Sequence, residues 1–435
     1  MDGQTVSLRR LRFKFNSCVS TFTMALAIVF ALTLLTTHAI QAQTFSVLHN
    51  FTGGADGNAP DAGLTVGPSG VLYGTAAFGG ICNHCGTVFK LTHIGSSWPF
   101  SPLYEFTGGS DGGLPYGEVV IGPNGALYGT TEFGGGEGDG VVFELRPPPT
   151  ACASFLCYWT ETVLHTFTGS PDGFSPTGNL AFDQAGDIYG TTTGGGTYDY
   201  GSVFELTLSG GAYTESIIQS FNYYGAGGYA PQGGVVLDSA GNVYGTNVAG
   251  GTGTECQLSQ YGSCGTIFQL VPSGGEWTDN VLLEFTGFLI GNGENPTVAP
   301  IIDASGNLYG TADLAYKLAP SGGGFLYSEL NPLSYCGYPT GLAMDAAGNF
   351  YGACGSGPGA DDYNGWVYEL TNCSQSCTLI DLHDFGGSDG AVPIGTPVLG
   401  ENGNLYGTTA QGGTESCFNG GCGTVWEIAG VGAQH

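Results

Sequence analysis

Over short stretches of this 435-residue chain, apolar and polar positions alternate with a period of two. That is the spacing of a half-buried β-strand, not of a helix. Val88-Phe89-Lys90-Leu91 and Val203-Phe204-Glu205-Leu206 are examples. Gly and Asn separate the stretches and supply the positive-φ positions that tight hairpins need. A second pattern overlies the first: an apolar residue, then Tyr-Gly, then usually Thr. It occurs at Leu72–Thr75, Leu127–Thr130, Ile188–Thr191, Val243–Thr246, Leu308–Thr311, Phe350–Ala353 and Leu405–Thr408, with Tyr-to-Tyr steps of 55, 61, 55, 65, 42 and 55 residues. Around each anchor the same segments recur. An alternating strand with a tight turn precedes it (63–70, 341–348). A Gly-rich loop and a strand follow it (86–91, 423–428), and then comes a strand ending in Phe (163–167). Four short antiparallel strands repeated seven times predict an all-β, seven-bladed β-propeller. The last unit stops after its third strand, Trp426-Glu427-Ile428, and the segment 45–51 reads as a lone fourth strand. Pairing the two would close the ring and cover two sheet edges.

The decapeptide Phe-Thr-Gly-Gly-x-Asp-Gly-x-x-Pro at 51–60 and 106–115, followed by Leu-Tyr-Gly-Thr and Gly-Thr-Val-Phe, resembles the GloVer-type tandem repeat of the bacterial "choice-of-anchor" exported proteins. The resemblance spans essentially everything after residue 44. It implies an exported propeller and brings no particular activity with it. The chain departs from the family pattern in having no C-terminal anchor, which leads to the expectation of a soluble secreted or periplasmic form. The fifth unit also departs, because 311–317 lacks the Gly-rich loop.

Residues 1–42 read as a secretory signal, with Arg9, Arg10, Arg12 and Lys14 ahead of the apolar run 24–35 and a cleavage site expected after Ala42. One propeller domain is expected over 43–435. The chain carries 80 glycines, only 10% charged residues and a formal net charge of −29. Beyond residue 42 its basic residues are Lys90, Arg146 and Lys317. A nucleic-acid binder needs clustered cations, so that role is excluded, as is adsorption to an anionic membrane. A monomer is expected. Cys18 lies in the signal, and the other twelve cysteines fall into neighbouring couples: Cys82/Cys85, Cys152/Cys157, Cys256/Cys264, Cys336/Cys354, Cys373/Cys377 and Cys417/Cys422. In an exported chain these read as disulfides, paired by proximity. For Cys82/Cys85, with His84 between them, metal binding and redox exchange stay open beside the disulfide.

With strands lettered a to d from axis to rim, the d–a and b–c loops share one face, and these are the long, varied loops where binding tends to reside. The d–a loops carry Asp56, Asp111, Asp172, Glu294 and Asp389. The b–c loops carry Glu132, Glu137, Asp139, Asp199, Glu255, Asp361, Asp362 and Glu415. Among their aromatics are Phe78, Tyr116, Phe133, Phe174, Tyr198, Tyr200, Tyr229, Tyr261, Tyr338, Tyr363 and Phe418. Carboxylates beside aromatic faces suit sugar rings, or a Ca²⁺ ion. Candidate ligand-binding residues are Asp56, Asp111, Asp172, Asp389, Tyr338, Phe133 and Tyr198. Each repeated Asp reads first as a turn former, since Asp-Gly closes turns by itself. The short fifth unit predicts a notch in the rim near Asp313, Tyr335 and Tyr338.

No catalytic residue or cofactor is indicated. Two Gly-x-Ser-x-Gly matches, at Ser110 and Ser388, sit in repeat loops and not in a strand-to-helix elbow. His49, His165 and His383 share one place in strand d, where Tyr104, Gln219 and Leu283 stand in other units, so packing is expected of them. The expectation is a binding or scaffold protein for an extracellular glycan or protein. The alternative is a polysaccharide lyase or hydrolase, or a metal-dependent lactonase, working through the axial channel.

Overall fold

The computed structural model describes residues 43–82, 85–149, 158–225, 227–252, 263–287, 293–333, 336–356, 364–373, 376–417 and 420–431. The described residues form seven antiparallel blade sheets. Blades 1 to 6 span 65–105, 120–166, 181–220, 235–284, 301–331 and 337–384, each in the order a-b-c-d. In blade 6 two short segments, Gly337–Pro339 and Ala343–Met344, both pair with the second strand, Phe350–Ser356. Blade 7 takes strands a to c from Val398–Leu399, Leu405–Thr409 and Thr424–Ala429. Its outer strand is Thr44–Asn50, which pairs with Thr424–Ala429 from Thr44↔Ala429 to Asn50↔Thr424. The expected closure is therefore present.

Each position of the anchor tetrapeptide has its own physical task. The leading apolar residue is buried in a seam between blades; Leu72, Ile188 and Leu405 are fully covered. The Tyr hydroxyl bonds polar groups of its own blade: Tyr128 donates to Glu144 at 2.7 Å, Tyr189 to Glu205 at 2.7 Å and Tyr351 to Asp345 at 3.2 Å. The Gly faces an aromatic ring on strand c across the ladder. A Cβ on Gly190 would lie 2.4 Å from Phe204, and one on Gly407 would lie 2.2 Å from Trp426. In five units the Thr reaches the next blade, whereas Thr191 Oγ1 has no hydrogen-bond partner among the described residues and the sixth unit has Ala353. Thr75 Oγ1 donates to the Gly117 carbonyl at 3.1 Å, Thr246 to Val298 at 3.2 Å and Thr311 to Thr340 at 2.8 Å. Thr408 makes the same bond to Ala62 at 2.7 Å and so stitches blade 7 to blade 1. Seven apolar clusters fill the seams, for example Phe51, Leu64, Leu72 and Phe89 with Tyr406 and Val425 at the closing seam. Burial of these seams is the main favourable term holding the ring.

Disulfides join Cys82–Cys85, Cys336–Cys354, Cys373–Cys377 and Cys417–Cys422. These are four of the six expected couples. Cys152 and Cys157 both lie outside the described residues. Cys264 is disulfide-bonded and fully buried, in the seam of blades 4 and 5 beside Ile267, Phe285 and Leu308. Its expected partner Cys256 lies outside the described residues, so the pairing Cys256–Cys264 is not among the four. His84 and residues 1–42, read from the sequence as a signal, also lie outside the described residues. No helix among the described residues is long and apolar enough to cross a membrane.

Candidate functional site

The four repeated aspartates close their own loops. Asp56 accepts from the Thr52 amide at 2.9 Å and the Thr52 hydroxyl at 2.5 Å, and it pairs with His49 Nε2 at 3.1 Å. Asp111 does the same with Thr107 (amide 2.8 Å) and the Tyr104 hydroxyl (3.1 Å). Asp172 holds the Thr168 amide and pairs with His165. Asp389 holds the Gly386 amide at 2.7 Å and pairs with His383 at 2.9 Å. Burial alone would raise the Asp56 carboxyl, but the bonds from His49 and Thr52 outweigh it and leave it below its ordinary value. The interchangeable strand-d position is thus the partner of the loop Asp. Where it is His or Tyr, an Asp follows six or seven residues later; after Gln219 and Leu283 none does.

A second group converges on a cleft of about 860 Å³ in the loop-rich face. Its lining includes Tyr116, Phe174, Tyr200, Tyr223 and Tyr229 with Asp61, Glu132 and Asp199, and Thr177, Gln232 and Ile394 complete the floor. The d–a and b–c loops of blades 2 to 4 build most of it. Phe174 is held by a two-stranded pairing of Gly173–Phe174 with Gly194–Gly195, and its ring covers Gly194, where a Cβ would lie 2.0 Å away. Tyr200, Tyr223 and Tyr229 form one aromatic wall with ring centroids 5.2–5.5 Å apart. The Ala230 amide donates to the Tyr200 carbonyl at 2.9 Å and ties this wall across blades 3 and 4.

The cleft floor opens on a narrower channel of about 110 Å³. Residues just ahead of strand a from six blades line it, which places strand a at the axis. Asp61, Tyr116, Thr177, Gln232 and Ile394 belong to both spaces. Each directly follows the Pro of its repeat. Burial pushes the Asp61 carboxyl up to about 7. Burial also raises Glu118, deeper in the channel, to about 7, although Asn179 and the Gly63 amide favour its charged form. Burial and the charges of Asp61 and Glu132 push the Tyr116 phenol up to about 12. At neutral pH Asp61 is therefore poised between a proton donor and an anion at the junction of cleft and channel.

Of the residues singled out in the loops, the structure brings together Tyr116, Glu132, Phe174, Asp199, Tyr200 and Tyr229. Tyr198 and Phe133 sit on the same b–c loops but project outward, 54% and 50% exposed. Tyr338 is 79% exposed on blade 6, and neither it nor half-buried Asp313 lines the cleft. Tyr335, Glu255, Tyr261, Asp361, Asp362, Tyr363 and Phe418 lie outside the described residues. Asp61, Glu118 and Tyr223 were not singled out. The usable signal for Asp61 and Glu118 was the place one and three residues after the repeated Pro, which varies from unit to unit while its surroundings stay constant.

Fold and site together define a β-propeller with an aromatic, acidic cleft on its loop face. The chain belongs to the Gloeobacter/Verrucomicrobia repeat family, whose pattern matches residues 28–162 and 156–331. No curated protein sequence matches it. Among solved structures, streptogramin B lyase is similar at 14% identity, with 89% of this chain and 97% of that one covered and a TM-score of 0.53. The extracellular domain of a B. thetaiotaomicron protein described as a one component system is similar at 12% identity and a TM-score of 0.51. That match covers 90% of this chain and 42% of the other. Likeness at this identity concerns the fold alone.

Proposed function

We propose that this is an exported glycan-binding propeller that takes one or two sugar rings into the cleft above blades 2 to 4. The observation that carries the reading is the union of the Tyr200–Tyr223–Tyr229 wall with Asp61, Glu132 and Asp199 in one space of about 860 Å³. A sugar ring has apolar C–H faces that pack on aromatic rings and hydroxyl edges that donate to carboxylates. Export rests on the signal-like segment 1–42, with cleavage after Ala42, and on the disulfides. The test is a glycan array probed with the wild-type protein and with Tyr200→Ala and Tyr223→Ala. Binding to a neutral or basic glycan, weakened at least tenfold by either substitution, is the expected result. A silent array counts against the reading.

A polysaccharide lyase or hydrolase is the second reading, and Asp61 favours it. A carboxyl with a pKa of about 7 can donate a proton to a leaving oxygen at neutral pH. Turnover of a polysaccharide that is lost in Asp61→Asn while binding survives would put this reading first.

A further inference from the structure

Several seams of the ring bring a strand-d residue of one blade against strand d of the next, and the pairs differ. His383 stacks on Phe45 with centroids 3.5 Å apart, and His49 stacks on Phe100 at 4.1 Å. At the seam of blades 3 and 4, Gln219 Nε2 donates to Asp279 at 2.5 Å. Phe45, Phe100, Glu215 and Asp279 occupy the same ladder position, each opposite the last apolar residue of the strand-c motif: Ile428, Leu91, Leu206 and Leu270. Between blades 2 and 3, a carboxylate stands where the other two imidazoles have a phenyl ring.

We propose that His165, Asp172 and Glu215 form a site for a first-row divalent transition metal such as Zn²⁺ at the seam of blades 2 and 3. The donor atoms of all three lie within 4.8 Å of one another. His165 Nε2 is 3.3 Å from each oxygen of Asp172. Two donors about 2.05 Å from a tetrahedral zinc stand about 3.3 Å apart, so this spacing already fits. Glu215 supplies the independent pointer. Its Oε1 is buried and has no hydrogen-bond partner, and a buried carboxylate oxygen in that state calls for a cation or a donor. Burial, then the charge of Asp172, raises the Glu215 carboxyl, a penalty that a cation between the two would relieve. Neutral imidazole and two carboxylates balance a 2+ ion, and imidazole selects a transition metal over a purely oxygen-seeking ion. The ion would tie strand d of blade 2, strand d of blade 3 and the loop whose next residues, Gly173–Phe174, form a wall of the cleft.

The experiment uses the untagged full chain, stripped with chelator and titrated with ZnCl₂ by calorimetry, with thermal denaturation in parallel. The expected result is one Zn²⁺ per chain and a higher Tm. Glu215→Phe and His165→Tyr, which copy side chains found at the equivalent positions Phe100 and Tyr104, should fold normally by circular dichroism and bind at least tenfold more weakly. His49→Gln, at a seam with only one carboxylate, should bind as the wild type does. No heat of binding in the folded wild type overturns the proposal. So does a Zn²⁺ affinity unchanged in both Glu215→Phe and His165→Tyr, which would assign the ion to another place.

Discussion

At the scale of single residues, the repeat is a set of steric and hydrogen-bonding obligations. The anchor Gly is needed because an aromatic ring occupies the volume a Cβ would take. Gly190→Ala should force Phe204 aside and cost about 1–3 kcal/mol, read as a lower denaturant midpoint. In blades 5 and 6 that ring is a Tyr. The Tyr316 and Tyr368 hydroxyls are buried without a partner, and a buried unpaired hydroxyl is unfavourable. Tyr368→Phe is therefore expected to leave stability unchanged or raise it by about 1 kcal/mol. Marked destabilisation in a denaturant melt would show that the hydroxyl has a partner.

At the scale of elements, the d–a loop is a closed device. Its Asp holds the first amide and hydroxyl of the loop and reaches back to the strand that launched it. Removing the carboxylate in Asp56→Ala hands these exposed donors to water and should cost about 0.5–1.5 kcal/mol in thermal or chemical denaturation. Glycan binding in the cleft should be untouched by this change, because Asp56 does not line it. A loss of binding without a loss of stability would reverse those roles. Two readings of the repeated Asp were open in the sequence, turn former or ligand; the hydrogen bonds favour the first. From the sequence, packing is expected of the strand-d histidines, without a pairing to the Asp that follows, although the two come and go together along the chain.

At the scale of the whole molecule, the ring depends on its closing blade. Deleting 43–50 would leave the Thr424–Ala429 edge unpaired, and an exposed edge invites pairing with other chains. Size-exclusion chromatography should then show aggregation, with loss of the cooperative melt. Buried acids shape the pH response: Asp61 and Glu118 at the axis, and Glu161, Asp313 and Asp279 elsewhere in the ring, are all raised by burial. Asp61 and Glu118 have folded values of about 7 against ordinary values of 3.8 and 4.5. The folded state holds these protons more tightly, so their contribution is fully present below about pH 4 and is lost as pH rises through about 7. Asp56 acts in the opposite sense, contributing above its ordinary 3.8 and losing that contribution as pH falls further. The Tm should peak near about pH 4–5 and decline towards about pH 8. Asp61→Asn combined with Glu118→Gln should make that decline shallower, with the remainder carried by Glu161, Asp313 and Asp279. A wild-type Tm that rises between about pH 5 and 8 would contradict this assignment.

Periodicity, turn residues and seven recurring anchors were enough to determine the blades, their number and the split closing blade, because each depends on contacts that repeat with the unit. The cleft was only half visible. Tyr116, Glu132, Phe174, Asp199, Tyr200 and Tyr229 stood out as loop residues, but so did Phe133, Tyr198 and Tyr338, which face solvent. Which loops lean together is a matter of how neighbouring blades pack, and it is encoded in contacts between units, not within one. Asp61 and Glu118 gain their character from the low-dielectric axis where six blades converge, and Glu215 from the blade that happens to adjoin it. Those environments exist only once the ring has closed.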